Sequence, residues 1–373
     1  MFRTFSGGTL PPRRFRHRPL FAALAAVLSV FALAGPGAPN AVSAAQPPAT
    51  LRAMTRNLYW GADLAPVFQA DQAHLLGAVG AAFENVRRTD FPERAEALAD
   101  EIAGLDPHVV GLQEAALWRS GPHESAPATH VEYDFLATLL GKLADRGLHY
   151  RAAVVVSDGD YEAPGTVDGQ VRDIRLTDRD ALLVRTDLPA NVFSVGGTRG
   201  ERFRRNLVLN SQVLGSVPLL RGWVDADVTL HGRTFRVVST HLENLDAAVR
   251  QAQAEELLAG PLADRARPSV LLGDLNTTPD SATYHRLTDP VARGGAAFTD
   301  VWNARHPGAL GPTCCRTPDL RSGELTLRLD YVFFRGPFRA LAADRSGEAA
   351  ADRTPSGLWP SDHAGVRGVL QLR

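Results

Sequence analysis

Several short runs in this chain are apolar at almost every position, and they limit its fold more than any other feature. Val109-Val110-Gly111-Leu112, Ser269-Val270-Leu271-Leu272 and Leu329-Asp330-Tyr331-Val332-Phe333-Phe334 are the clearest. A strand exposed on one face alternates apolar with polar residues. One that is apolar throughout is covered on both faces. These runs alternate with helical patterns, such as Glu93–Leu105 with Leu98, Ile102 and Leu105 on one face, and Asp246–Leu258. The arrangement that covers such strands on both sides is an α/β layered domain, with two packed mixed sheets and helices outside.

The other expected strands are Leu51–Leu58, Tyr150–Val156, Ala181–Arg185, Trp223–Leu230, Thr234–Thr240 and Val366–Leu372, with a hairpin turn at His231-Gly232-Arg233. Val131–Arg146 has the period of a helix, with Phe135, Leu139 and Leu143 in register. The segments 157–178 and 288–326 read as long loops, which in a compact enzyme often line the site.

The first 44 residues have the form of a secretory signal peptide. Arg3, Arg13, Arg14, Arg16 and Arg18 form a basic start, Leu20–Ala34 is apolar and uncharged, and Val42-Ser43-Ala44 suits cleavage. The apolar stretch is shorter than the ~20 residues a membrane span needs. The expectation is therefore export to an extracellular or periplasmic location with no stable membrane anchor. A short lead-in over 45–50 follows, then one catalytic domain over 51–373, expected to be monomeric. The whole chain carries a net charge of −1. Loss of the five arginines leaves about −6, which does not advertise a polyanion-binding surface, although one groove could still bind nucleic acid. Cys314 and Cys315 are the only cysteines and are adjacent. This excludes a disulfide framework; the two are either small buried residues or a vicinal pair in an oxidising compartment.

Polar residues stand in, at or just past the ends of the apolar runs: Asn57, Glu114, His241, Asp274 with Asn276, Asp330, and Ser361-Asp362-His363. Any one of them has an ordinary explanation. Gly273-Asp274-Leu275-Asn276 alone is equally an Asx turn, and a lone histidine is often a satisfied core residue. Together they gather carboxylates, amides and imidazoles at strand ends, where a buried carboxylate needs pairing or a metal. An oxygen-rich set with few carboxylates suits Mg²⁺ better than Zn²⁺, and a histidine titrating near neutrality suits activation of water.

The ordered set Asn57, Gln113-Glu114, Thr240-His241-Leu242, Gly273-Asp274-x-Asn276, Asp330-Tyr331 and Ser361-Asp362-His363 resembles the endonuclease/exonuclease/phosphatase superfamily over essentially all of 51–373. The resemblance implies a four-layer αββα sandwich and Mg²⁺-dependent phosphoester hydrolysis, with Mn²⁺ or Ca²⁺ as alternatives. It implies that Glu114 binds the metal with Asn57 beside it and Asp362 nearby. It implies His363 as general base oriented by Asp330, Asp274 and Asn276 positioning water and phosphoryl oxygens, and His241 as a donor to the phosphoryl group or leaving oxygen.

A histidine in the Thr-His-Leu setting is similar to the deoxyribonuclease, sphingomyelinase and phosphoinositide branches. Where the family often has Gly-Gly-x-Ala, this chain has Asp178-Arg179-Asp180-Ala181, which is expected to put charge at the rim of the site. The run Arg56–Asp63 and the cysteine loop resemble a group of secreted bacterial members. Arg221 could touch phosphate, but an exposed surface role is the leading expectation for it. The substrate expected is a phospholipid head group or a small phosphate ester, with an extracellular nuclease as the alternative. A catalytically silent binding module on the same fold is the reading from a different class.

Overall fold

The computed structural model describes residues 3–4, 49–124, 126–291 and 294–373. The expected leader, apart from Arg3 and Thr4, lies outside these. Among the described residues no helix is long and apolar enough to cross a membrane.

In chain order the elements are β1 (Ala49–Asn57), α1 (Ala65–Gln69), α2 (Leu75–Arg88), α3 (Phe91–Leu105), β2 (Val109–Gln113), β3 (Leu117–Pro122), β4 (His130–Asp134), α4 (Phe135–Asp145), β5 (Tyr150–Val167) and β6 (Gln170–Arg185). There follow β7 (Phe193–Arg202), β8 (Leu207–Ser211), β9 (Gly215–Leu219), β10 (Gly222–Leu230), β11 (Arg233–His241), α5 (Ala247–Ala259), β12 (Ser269–Asp274), α6 (Ala282–Thr288), β13 (Thr299–Asp300), α7 (Val301–Arg305), β14 (Asp330–Arg335), β15 (Phe338–Ser346) and β16 (Gly365–Leu372).

One mixed sheet runs β5-β6-β2-β1-β16-β15, with β3 and β4 added beside β6, and the other runs β13-β14-β12-β11-β10-β7. In each, a single parallel pair, β1 with β2 and β11 with β12, sits among antiparallel neighbours. The expected two-sheet α/β layering is what the chain forms.

The apolar runs are covered on both faces, as their composition requires. Leu51, Ala53, Val109, Leu182, Val184, Val237, Val270, Leu272, Val332 and Phe334 meet in the core between the sheets. The alternate residues Met54, Val110, Leu112 and Leu183 pack under α2, α3 and α4 with Leu98, Ile102 and Leu139. Val238, Leu271, Tyr331 and Phe333 pack under α5 and α6 with Leu257 and Leu287. The sheets approach closely at Gly111, where an added Cβ would lie 2.3 Å from Ser239 Oγ.

Two expectations needed correction. Segment 157–178 is not a loop: it belongs to the long hairpin of β5 and β6, paired from Tyr150↔Arg185 to Val167↔Gln170. Its charged residues fall on both faces, with Asp158, Glu162, Asp173 and Asp178 buried, so the apolar alternation that marks a strand is broken. The start of Val131–Arg146 is strand, because Asp134 caps the helix by accepting from Ala137 N and holds helical geometry back to Phe135.

Candidate active site

Strand periodicity delivers the polar residues to one place. Side chains two apart share a face. Asn57 therefore follows Leu51 and Ala53, His241 follows Phe235 and Val237, Asp274 follows Val270 and Leu272, and Asp330 precedes Val332 and Phe334, all on the inter-sheet face. The register sets His241 opposite Asp274, and Asp274 opposite Asp330. All four are buried.

His363, just before β16, places Nδ1 2.8 Å from Asp330 Oδ2 and Nε2 3.7 Å from Asp274 Oδ2. His241 Nε2 lies 3.5 Å from the same Asp274 oxygen. Burial opposes charge on His363, but Asp330, Asp274 and Asp362 outweigh it and hold the imidazole well above its usual value. Burial, then the Arg221 and His363 charges, push His241 well below its usual value. The two imidazoles flanking one carboxylate are thus biased in opposite directions, His363 toward the charged form and His241 toward the neutral one. Asp274 itself is pushed up to about 6 by burial and by Asp330.

Asn57, Glu114 and Asp362 stand beside this cluster. Asn57 Nδ2 donates to Glu114 Oε1 at 3.1 Å and to Asp274 Oδ2 at 3.2 Å, while its Oδ1 accepts from Tyr59 N at 2.8 Å. In this orientation the amide positions both carboxylates, and offering Oδ1 to a cation requires it to turn over. Glu114 Oε2 accepts from Trp60 N at 2.8 Å. Its pKa is raised to about 8 by burial, then by Asp362 and Asp178. Asp362 is likewise raised, by burial against the pull of His363. Carboxylates that crowd each other without full compensation are a donor set that a hard divalent cation fits. Asn276 completes the group: its backbone N donates to Asp274 Oδ1 at 2.9 Å, and its Nδ2 donates to Leu242 O at 2.9 Å.

Several residues that hold the site carry no motif. Arg94 is fully buried on α3, donates to the carbonyls of Thr89, Leu58 and Pro360, and ties the ends of β1 and the 358–361 segment together. Arg56 donates to His363 O and pairs with Glu101 at 2.9 Å. Thr313 Oγ1 accepts from Leu329 N and Asp330 N. Next to it, Cys314 forms an antiparallel bridge with His363 and is paired with Cys315. Tyr59 OH donates to Pro318 O at 2.9 Å, so the Arg56–Asp63 run and the cysteine loop meet. Only amphipathic context could have singled out Arg56 and Arg94 in the sequence. An arginine inside a helical or strand pattern looks like any surface charge.

Two further expectations were wrong. Arg221 is buried, and its Nη1 lies 3.0 Å from His241 Nδ1. Asp178 and Asp180 are not rim charges: both are buried, as is Asp158 opposite them on β5. They share the parity of Leu182 and Val184 and so turn inward between the sheets. That alternation is the signal that could have found them.

No curated protein matches the chain. The Endonuclease/Exonuclease/phosphatase family profile matches residues 57–363, which begins on Asn57 and ends on His363. The chain belongs to the endonuclease/exonuclease/phosphatase family. Solved members share its fold at low identity. A family protein from Bacteroides thetaiotaomicron superposes with TM-score 0.54 at 16% identity, covering 88% of this chain and 99% of that one. One from Bacteroides vulgatus gives 0.52 at 17%, covering 87% and 99%. A mannosyl-6-phosphatase of B. thetaiotaomicron gives 0.50 at 17%, covering 86% and 99%. Members of the endonuclease/exonuclease/phosphatase family are phosphoester hydrolases, mostly metal-dependent.

Proposed function

We propose that the chain is a secreted, Mg²⁺-dependent phosphodiesterase in which His363 activates water for in-line attack at phosphorus. The observation that carries this reading is the His363–Asp330 pair beside Asp274, with Glu114 linked to Asp274 through Asn57 and close enough to Asp362 for their charges to repel. Asp330 accepts a hydrogen bond from Nδ1–H of His363, so Nε2 is the atom that faces the water; cation charge held by Glu114 and Asp362 would offset the acids that favour the charged ring and leave Nε2 free to accept a proton. Asp274, beside both Nε2 atoms, accepts the other hydrogen of that water and holds its lone pair toward phosphorus. Asn276 keeps Asp274 in place.

Arg221 donates to Nδ1 of His241, so Nε2 of that ring carries the proton and donates to a phosphoryl or leaving oxygen. Glu114 and Asp362, with Asn57 at hand, would hold the cation. When bound there, the cation stabilises negative charge growing on the phosphoryl oxygens. Export follows from the N-terminal leader. The acidic mature chain favours a phospholipid head group or small phosphate ester over nucleic acid.

A screen of sphingomyelin, phosphatidylinositol phosphates, plasmid DNA and small phosphodiesters, each with Mg²⁺ and with EDTA, tests this. Metal-dependent cleavage of a lipid or small ester is the expected result. Preference for DNA would establish the nuclease alternative, and inertness toward every substrate would favour a binding module.

A further inference from the structure

Trp60 and Arg221, which touch Glu114 and His241, also line a space outside the catalytic cluster. A cavity of ≈ 170 Å³ is walled by Trp60, Leu64, Phe68, Tyr161, Leu176 and Leu219, with Asp63, Asp178, Arg221 and Asn244 as its polar lining. A smaller cavity of ≈ 50 Å³, lined by apolar residues throughout, shares Leu64, Phe68, Tyr161 and Leu176 with it. The two share these walls and make up a largely apolar chamber between the α1–α2 region and the β5–β6 hairpin.

Trp60 is the partition. Its backbone N holds Glu114, its indole Nε1 donates to Asp178 Oδ1 at 2.9 Å, and its carbonyl accepts from Trp118 Nε1 at 2.9 Å. Tyr161 is fixed by its hydroxyl, which donates to Pro218 O and accepts from Leu220 N. Arg221 reaches both spaces: it lines the chamber and contacts His241. At the mouth, Leu245, four residues past His241, is 63% exposed.

We propose that this chamber receives an apolar organic group of the substrate, an alkyl chain or an aromatic ring, while its phosphate sits at Arg221 and His241. The assignment rests on the phosphoesterase reading and deepens it. The walls are mostly apolar, and Arg221, which also contacts His241, is the cation among their lining residues. Apolar pockets with a few convergent polar groups are how small organic ligands are bound. A substrate carrying only a small polar alcohol leaves the chamber unused, and one with an apolar substituent gains its burial.

The test uses the mature protein with Mg²⁺ and methyl 4-nitrophenyl phosphate as reporter. Methyl-, hexyl- and phenylphosphonate are compared as inhibitors. The expected result is inhibition constants at least tenfold lower for hexyl- and phenylphosphonate than for methylphosphonate. Leu219→Trp, which fills the chamber, should shrink that ratio to near unity; Ala65→Trp at the mouth serves if the first variant fails to fold. Equal constants for all three phosphonates in the parent overturn the proposal, as does a ratio untouched by a folded chamber-filling variant. If the parent does not turn over the reporter, the phosphoesterase reading fails instead. The chamber is then judged by isothermal titration of the protein with the same phosphonates, and the same ratios of dissociation constants support or overturn it.

Discussion

Arg221 donates to Nδ1 of His241 at 3.0 Å, and so fixes the tautomer that presents an Nε2 proton toward Asp274. A neutral imidazole could otherwise carry its proton on either nitrogen. Arg221→Met is expected to lower kcat about 10- to 100-fold, the scale seen when a partner orienting a functional histidine is lost. Steady-state kinetics under saturating Mg²⁺ reads this, and a kcat within twofold of the parent removes the orienting role.

The 2.8 Å contact between His363 Nδ1 and Asp330 Oδ2 predicts that the two act as a unit. His363→Ala should cost about 10²- to 10⁴-fold in kcat, the usual scale of general base catalysis. Asp330→Asn should cost much less once His363 is already alanine, because its partner is gone. Rates of both single variants and the double variant decide this. Fully multiplicative losses mean that Asp330 acts elsewhere.

Asp158 and Asp180 are buried, and neither carboxylate has a hydrogen-bond partner. Burial, then neighbouring aspartates, raise both well above the usual carboxylate range. The folded protein therefore binds these protons more tightly than the unfolded chain, whose aspartates titrate near ~3.9. Their stabilising contribution is full below that pH and is lost as pH rises through the folded values. Asp180→Asn should raise the melting temperature by roughly 2–6 °C at pH 8, given ~1–3 kcal/mol for an unsatisfied buried group and ~2 °C or more per kcal/mol. The gain should shrink toward pH 4. Melting curves at both pH values check it, and an unchanged or lower melting temperature at pH 8 contradicts it.

Cys314 lies on the backbone segment that bridges His363, while neighbouring Thr313 accepts from Asp330 N. Reduction of the Cys314–Cys315 pair by a non-chelating phosphine is expected to slow turnover. The Cys314→Ser/Cys315→Ser variant should not respond to reductant. Unchanged kinetics, with mass spectrometry confirming reduction, would rule out support of His363 by the pair.

Much of the site could be read from the sequence because the strands carry it. A period of two, running from Val270 and Leu272 to Asp274 or from Phe235 and Val237 to His241, assigns a face without any coordinates. Arg94, Arg56 and Arg221 were not legible. A buried charge is marked only by its partners: for Arg94 and Arg56 these include distant carbonyls, and for Arg221 they are His241 and Asp178. The β5–β6 hairpin was mistaken for a loop because its outward residues are charged and its inward aspartates break the apolar alternation.

Glu114, Asp362 and His363 are proposed to carry cation-dependent phosphodiester hydrolysis. Its most direct test is the initial rate of bis(4-nitrophenyl) phosphate hydrolysis as Mg²⁺ is titrated into metal-stripped protein, with Glu114→Gln in parallel. The account predicts a saturable rise from a negligible rate, reversal by EDTA, and a strongly weakened Mg²⁺ response in the variant. Turnover that is indifferent to Mg²⁺ and EDTA, or a variant that responds like the parent, would contradict it.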